Sequence, residues 1–142
     1  MDIRALTPSY AVSPQIEIAD LPAIKAAGYT TVIDNRPDAE IPPFLHTNAM
    51  RAAAEAAGLR FVANPVIGGM MTMENVTAQA AAIAGSDGPV FAYCASGNRS
   101  SIVWALAHAG KLPTDDLIGI PARFGYQLEG LRAQLDAMAQ NA

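Results

Sequence analysis

Three short apolar stretches, each bounded by an alanine-rich or glycine-ended segment, constrain this chain most. Tyr29 to Asn35 holds the β-branched run Thr30, Thr31, Val32 and Ile33 and reads as a buried strand. Leu59 to Val66, with Pro65 near its end, reads as a second strand, and Val90 to Tyr93 as a third. Helical segments lie between and around them. Asp20 to Ala27 carries Pro22 in its first turn and stops at Gly28. His46 to Ala57 ends at Gly58, and Met73 to Ala84 has Thr72 as N-cap and Glu74 in its first turn. Ser100 to Ala109 is apolar almost all round and stops at Gly110. Leu128, Leu131, Leu135 and Met138 mark one face of a last helix, and residues 1–16 supply one or two edge strands around Tyr10 to Val12. Such alternation predicts an α/β domain, a mostly parallel central sheet with helices on both faces, spanning residues 1–142 as one unit.

Composition is consistent with that. Of 142 residues 51% are apolar and 15% charged, enough material for a core and too little charge for disorder. The net charge of −4 comes with no basic stripe, so no nucleic-acid partner is expected, and no polybasic cluster suggests an anionic membrane surface. The opening Met1-Asp2-Ile3-Arg4 lacks the pattern of a signal peptide, and a single cysteine allows no internal disulfide, so a cytoplasmic location is expected.

The chemistry concentrates in Cys94-Ala95-Ser96-Gly97-Asn98-Arg99-Ser100, which leaves the third strand and enters a helix. Open parallel sheets bind ligands beyond the carboxyl ends of their strands, and this loop lies there. Its backbone N–H groups and the helix N-terminus form an anion cradle; Gly97 permits the tight turn, and Arg99 adds a planar cationic fork. The same positive surroundings favour the thiolate of Cys94, and Ser100 is placed to donate a hydrogen bond to the sulfur. Cys94 and Arg99 are therefore the expected catalytic pair, with Ala95, Ser96, Gly97, Asn98 and Ser100 binding the substrate. A structural cysteine ending a strand is the plainer alternative, disfavoured by the glycine, arginine and serine that follow it at the required offsets.

This loop resembles those of two families. Rhodanese-like sulfurtransferases carry Cys, four residues and Arg, often with Tyr before and Gly-any-Arg-Ser within, and Tyr93 to Ser100 matches that pattern. Protein tyrosine and dual-specificity phosphatases place five residues between Cys and Arg, one more than here. Beyond the loop, Tyr10-Ala11-Val12-Ser13-Pro14-Gln15, Val32-Ile33-Asp34-Asn35-Arg36-Pro37-Asp38 and Asn64-Pro65-Val66 look like the phosphatase-like domain of beta-lactamase-hydrolase-like proteins, over nearly the whole chain. That resemblance implies a dual-specificity-phosphatase-type fold carrying a loop of rhodanese length.

The choice of reaction turns on a proton. A cysteine phosphatase needs a general acid for its leaving oxygen, and Asn64 to Met71, where the phosphatase families place one, holds no Asp, Glu or His. Glu74 begins a helix, and Asp38 or His46 would have to reach in from another loop. Sulfur transfer needs no such acid. The expected activity is thus a sulfurtransferase, moving sulfane sulfur from thiosulfate or a persulfide through a Cys94 persulfide to an acceptor thiol such as glutathione. A cysteine phosphatase working through a phosphocysteine is the alternative, and a non-catalytic anion-binding module the third reading. A dithiol reductase lacks its resolving cysteine.

Weaker signals complete the reading. Asp34, Arg36 and Asp38 end the first central strand at the same sheet edge; either Arg36 binds the anionic substrate with Asp34 supporting the loop, or Pro37 holds a turn with Asp38 exposed. His46 and His108 have no partners at ligand spacing, so no metal is expected, and Gly68-Gly69 fits no dinucleotide fingerprint, so no cofactor is expected. Met70, Met71 and Met73 are read as packing rather than a hydrophobic mouth, and Trp104 as core.

Overall fold

The computed structural model describes residues 1–141. Its centre is a five-stranded sheet of β1 (Arg4–Thr7), β2 (Tyr10–Ser13), β3 (Thr31–Asp34), β4 (Arg60–Ala63) and β5 (Val90–Tyr93). The spatial order is β1-β2-β5-β3-β4. Only β1 and β2 are antiparallel; every other pair is parallel. Register places Ser13 and Asp34 on either side of Tyr93, and Ala63 beside Asp34, so four parallel strands end level with one another. All loops leaving those ends share one edge, as ligand sites in open α/β sheets require.

Six helices cover the sheet: α1 (Leu21–Ala26), α2 (Thr47–Ala56), α3 (Met73–Ala84), α4 (Asn98–Ala107), α5 (Thr114–Ala122) and α6 (Arg132–Gln140). The period of two along each strand divides the core. Val90 and Ala92 of β5 join a cluster with α3 to α6, while Phe91 and Tyr93 join a second cluster with α1 and α2. Strands with both faces buried read as continuous apolar runs, which is why β3 and β5 were visible in the sequence. In α2 the buried Met50 and Ala54 stand one turn apart; in α3 Val76, Gln79 and Ala82 share a face. The start of α3 is fixed by a reciprocal cap, in which the Asn75 N–H donates to Thr72 Oγ1 and the Thr72 N–H to Asn75 Oδ1, both at 3.1 Å. Trp104 is buried and stacks on Tyr10 with ring centroids 6.1 Å apart.

Three expectations change. β2 is interior, paired on both sides, and the edges of the sheet are β1 and β4. The second strand stops at Ala63, because Asn64 turns its side chain into a polar network and Pro65 has no N–H for a ladder. A helix absent from the sequence reading, α5, precedes the last one; Gly119 and Pro121 argue against it locally, yet Leu117, Ile118 and Pro121 are buried against the core. Among the described residues no helix is long and apolar enough to cross a membrane.

Candidate active site

Cys94 directly follows β5, where the chain leaves the sheet. Its side chain is fully buried, and its sulfur accepts the Gly97 N–H at 3.1 Å. Gly97 has φ +94°, the left-handed turn that reverses the chain into α4, and the Ser101 hydroxyl donates to its carbonyl at 2.8 Å. The amides of Ala95 and Ser96 find no acceptor among the described residues, which leaves them free for an anion. Tyr126 braces the loop from the far side: its hydroxyl donates to the Ser96 carbonyl at 2.8 Å and accepts from Arg4 at 2.6 Å.

Arg99 lies on the first turn of α4. One of its nitrogens donates to the Val66 carbonyl at 2.7 Å, and both terminal nitrogens reach the carboxylate of Glu40, each at 2.8 Å. This is a fork-to-fork pair, the geometry in which guanidinium also grips phosphate. Arg36 reaches the same carboxylate through Nε at 3.0 Å. The two cations hold the Glu40 carboxyl below its ordinary range, Arg99 most strongly, while partial desolvation opposes them. Beside this pair opens a cavity of about 550 Å³, lined by Glu40, Arg99, the loop residues Ala95, Ser96 and Asn98, and apolar side chains including Val66, Met71 and Leu131. Glu40 is the one acidic residue in that lining. Cys94 lies behind the lining formed by its own loop.

A buried polar network holds the loop against the neighbouring strands. Asn35 Nδ2 donates to Gln79 Oε1 and to the Asn64 carbonyl, each at 2.9 Å; Gln79 Nε2 donates to the Tyr10 hydroxyl at 3.0 Å. Ser100 Oγ donates to Asn35 Oδ1 at 2.9 Å. Ser100 was expected to donate to the sulfur; its one hydroxyl proton is committed to Asn35 instead, so it ties the start of α4 to the end of β3.

Asp34 is fully buried at the end of β3, accepting the Arg36 N–H at 2.9 Å and the Thr47 hydroxyl at 3.1 Å. Burial raises its pKa, and those two donors only partly offset this. Below about pH 4 the carboxyl is neutral folded or unfolded; as pH rises through its raised folded value the charge forms in the interior and stability is lost. Asp34→Asn keeps the acceptor for Arg36 and removes the charge. Its stability relative to the wild type is expected to rise between pH 4 and pH 7 in urea unfolding; a difference constant with pH would contradict the account.

The structure thus gathers Cys94, Ala95, Ser96, Gly97, Asn98 and Arg99 at one site, and puts Arg36 and Asp34 at its side. Arg36 was expected to meet the substrate; it is outside the cavity lining and braces Glu40 and Gln15. Asp38 and His46, considered as acids, are both turned elsewhere. Asp38 Oδ1 accepts the Thr47 N–H at 2.8 Å, and His46 Nε2 pairs with the Ile41 carbonyl at 2.9 Å. Glu40 and Tyr126 were missed. Glu40 lies two residues from Asp38 on a short 3-10 turn, Asp38–Glu40, and only the fold shows which acid faces the loop. Met70 and Met73 are exposed, whereas Met71 lines the cavity. Among the described residues no group of three or more His, Cys, Asp or Glu is placed to hold a metal ion.

Comparison with known proteins decides the family. The profile of the phosphatase-like domain of beta-lactamase hydrolase-like proteins matches residues 2–111. The chain belongs to this family. A beta-lactamase hydrolase-like protein of Agrobacterium fabrum is 32% identical over 119 residues, 82% of this chain and 28% of the relative. The chain therefore spans less than a third of the length of the curated relatives it matches. A candidate phosphatase from Neisseria meningitidis is 32% identical, with a TM-score of 0.80 covering 96% of this chain and 98% of its own. TpbA of P. aeruginosa shares the fold at 16% identity and a TM-score of 0.63, covering 96% of this chain and 81% of its own. These findings overturn the sulfurtransferase expectation, and with it the sulfur donor and the glutathione acceptor: relatives in sequence and in fold are phosphatase-like. The expectation rested on a missing acid in residues 64–71, and a carboxylate is present at the site after all, supplied by Glu40 from the loop after β3. The pattern Tyr93 to Ser100 and the loop length, on which the rhodanese-like resemblance stood, occur here in a chain of a phosphatase-like family.

Proposed function

We propose that this phosphatase-like domain is a cysteine-dependent phosphatase acting on a small phosphomonoester. The observation that carries the reading is the juxtaposition of Cys94, free loop amides and the Arg99 fork at the end of β5, inside the fold of the tyrosine-phosphatase group. A related fold, TpbA with its cysteine changed to serine, has been solved with phosphotyrosine. In this reading the Cys94 thiolate attacks phosphorus in line with the ester oxygen. The free amides of Ala95 and Ser96 and the Arg99 guanidinium hold the equatorial oxygens, whose charge they stabilise as the bond breaks. A phosphocysteine forms, and water then releases phosphate. The apolar walls, Val66, Ile67, Met71, Ile102 and Leu131, suit an uncharged organic group on the ester. The test is release of inorganic phosphate from an aryl phosphate by the wild-type chain and not by Cys94→Ser. A folded wild type that releases none would overturn the proposal.

A further inference from the structure

We propose that Glu40 is the proton donor of this site and that the substrate itself arms it, by displacing the Glu40 carboxylate from the Arg99 fork. The inference rests on the phosphatase reading and adds the group that reading leaves unassigned. Three observations support it. Glu40 is the acidic residue in the lining of the cavity. Its two oxygens occupy both terminal nitrogens of Arg99, the atoms a phosphoryl group needs. Cys94 itself is fully buried behind its loop, so Arg99 and the loop amides are what the cavity presents to an anion. A bound phosphate dianion and the Glu40 carboxylate cannot share one guanidinium without strong repulsion, so one must leave.

The groups facing Glu40 give the direction of the change. Arg99 from α4 and Arg36 from its own segment favour the ionised form, and Cys94 lies beyond Arg99. Asp38 and His46, nearest in the chain, are turned to Thr47 and Ile41. When the dianion takes Arg99, Glu40 loses its main counter-charge and gains a negative neighbour. Both changes favour protonation, so a proton is taken from water as substrate binds. Arg36 still tethers the side chain near the site. In the first step sulfur bonds to phosphorus, the phosphorus–oxygen ester bond breaks, and the Glu40 proton passes to the leaving oxygen, giving alcohol, phosphocysteine and Glu40 carboxylate. In the second, that carboxylate takes a proton from water, the oxygen bonds to phosphorus, and the sulfur–phosphorus bond breaks, giving phosphate, thiolate and protonated Glu40. Atoms and protons balance over the cycle.

The test has two arms. In the first, Glu40→Gln is compared with wild type on 4-nitrophenyl phosphate, whose leaving group departs without help, and on phenyl phosphate, whose leaving group is much more basic. The variant should lose about 10²–10³-fold in kcat on phenyl phosphate and less than about 10-fold on the nitrophenyl ester. Equal losses on both would overturn the proposal and leave Glu40 only a holder of Arg99. In the second arm, sulfate, a dianion of fixed charge, is titrated calorimetrically in buffers of different ionisation enthalpy. Wild type should take up more protons per sulfate bound than Glu40→Gln. Equal uptake, or no sulfate binding, overturns the switch. If neither chain hydrolyses either ester, the phosphatase reading fails on its own, and the uptake arm still decides whether an anion displaces Glu40.

Discussion

Replacing Cys94 with serine is expected to lower kcat/KM for an aryl phosphate by about 10⁴-fold or more, in the range found when an enzyme loses its nucleophile. A serine hydroxyl stays protonated near neutral pH, and no histidine stands by to activate it: His46 is engaged with Ile41, and His108 with the Trp104 carbonyl. The fold should not notice. Serine is nearly the size of cysteine, and its oxygen can accept the Gly97 N–H that the sulfur now accepts. Urea unfolding should therefore move by no more than about 1 kcal/mol, the net value of one neutral hydrogen bond. Loss of activity with stability retained separates a chemical role from a structural one. Activity above a tenth of wild type would remove Cys94 from the reaction.

Gly97→Ala should damage both stability and activity. The added Cβ would fall inside van der Waals contact with the Tyr126 hydroxyl and 2.9 Å from the ring carbon that bears it. Tyr126 cannot swing away cheaply, because Arg4 and the Ser96 carbonyl both hold its oxygen. At φ +94° alanine is also strained by its own backbone, by about 1–2 kcal/mol. Together with one or two lost hydrogen bonds this predicts a destabilisation of about 2–4 kcal/mol, read by urea unfolding. The cradle must distort where it meets Cys94, so kcat/KM should fall about 10²–10³-fold, as for loss of an oxyanion donor. Adding Tyr126→Phe removes the clashing oxygen. The double variant should recover part of the stability, since the two sites touch and their effects cannot simply add. A Gly97→Ala chain as stable and active as wild type would contradict the geometry.

What could be read from the sequence was local. Cys94 to Arg99 form one turn between a strand and a helix, so their offsets carry the cradle by themselves, and β3 and β5 announced themselves as apolar runs buried on both faces. The order of the sheet was not legible, because no pattern in Tyr10 to Ser13 tells an interior strand from an edge. α5 was hidden by Gly119 and Pro121, whose local cost is met by burial of Leu117 and Ile118. The largest consequence came from Glu40. It lies 59 positions from Arg99, and β3 and β5 bring the two together only by pairing in parallel. Reading only the segment after β4 for an acid favoured sulfur transfer, whereas the carboxylate that lines the cavity comes from the loop after β3. The same holds for Asn35, Gln79 and Ser100, three polar residues with no shared motif that the fold joins into one buried network.

The central claim is that phosphoryl passes through the sulfur of Cys94. Wild-type protein mixed with excess aryl phosphate and quenched in acid within milliseconds should show, by intact mass and peptide mapping, one phosphoryl group on the peptide containing Cys94, decaying as phosphate appears. Hydrolysis with no phosphoryl group on Cys94 at any quench time, or with the group on another residue, would contradict the account.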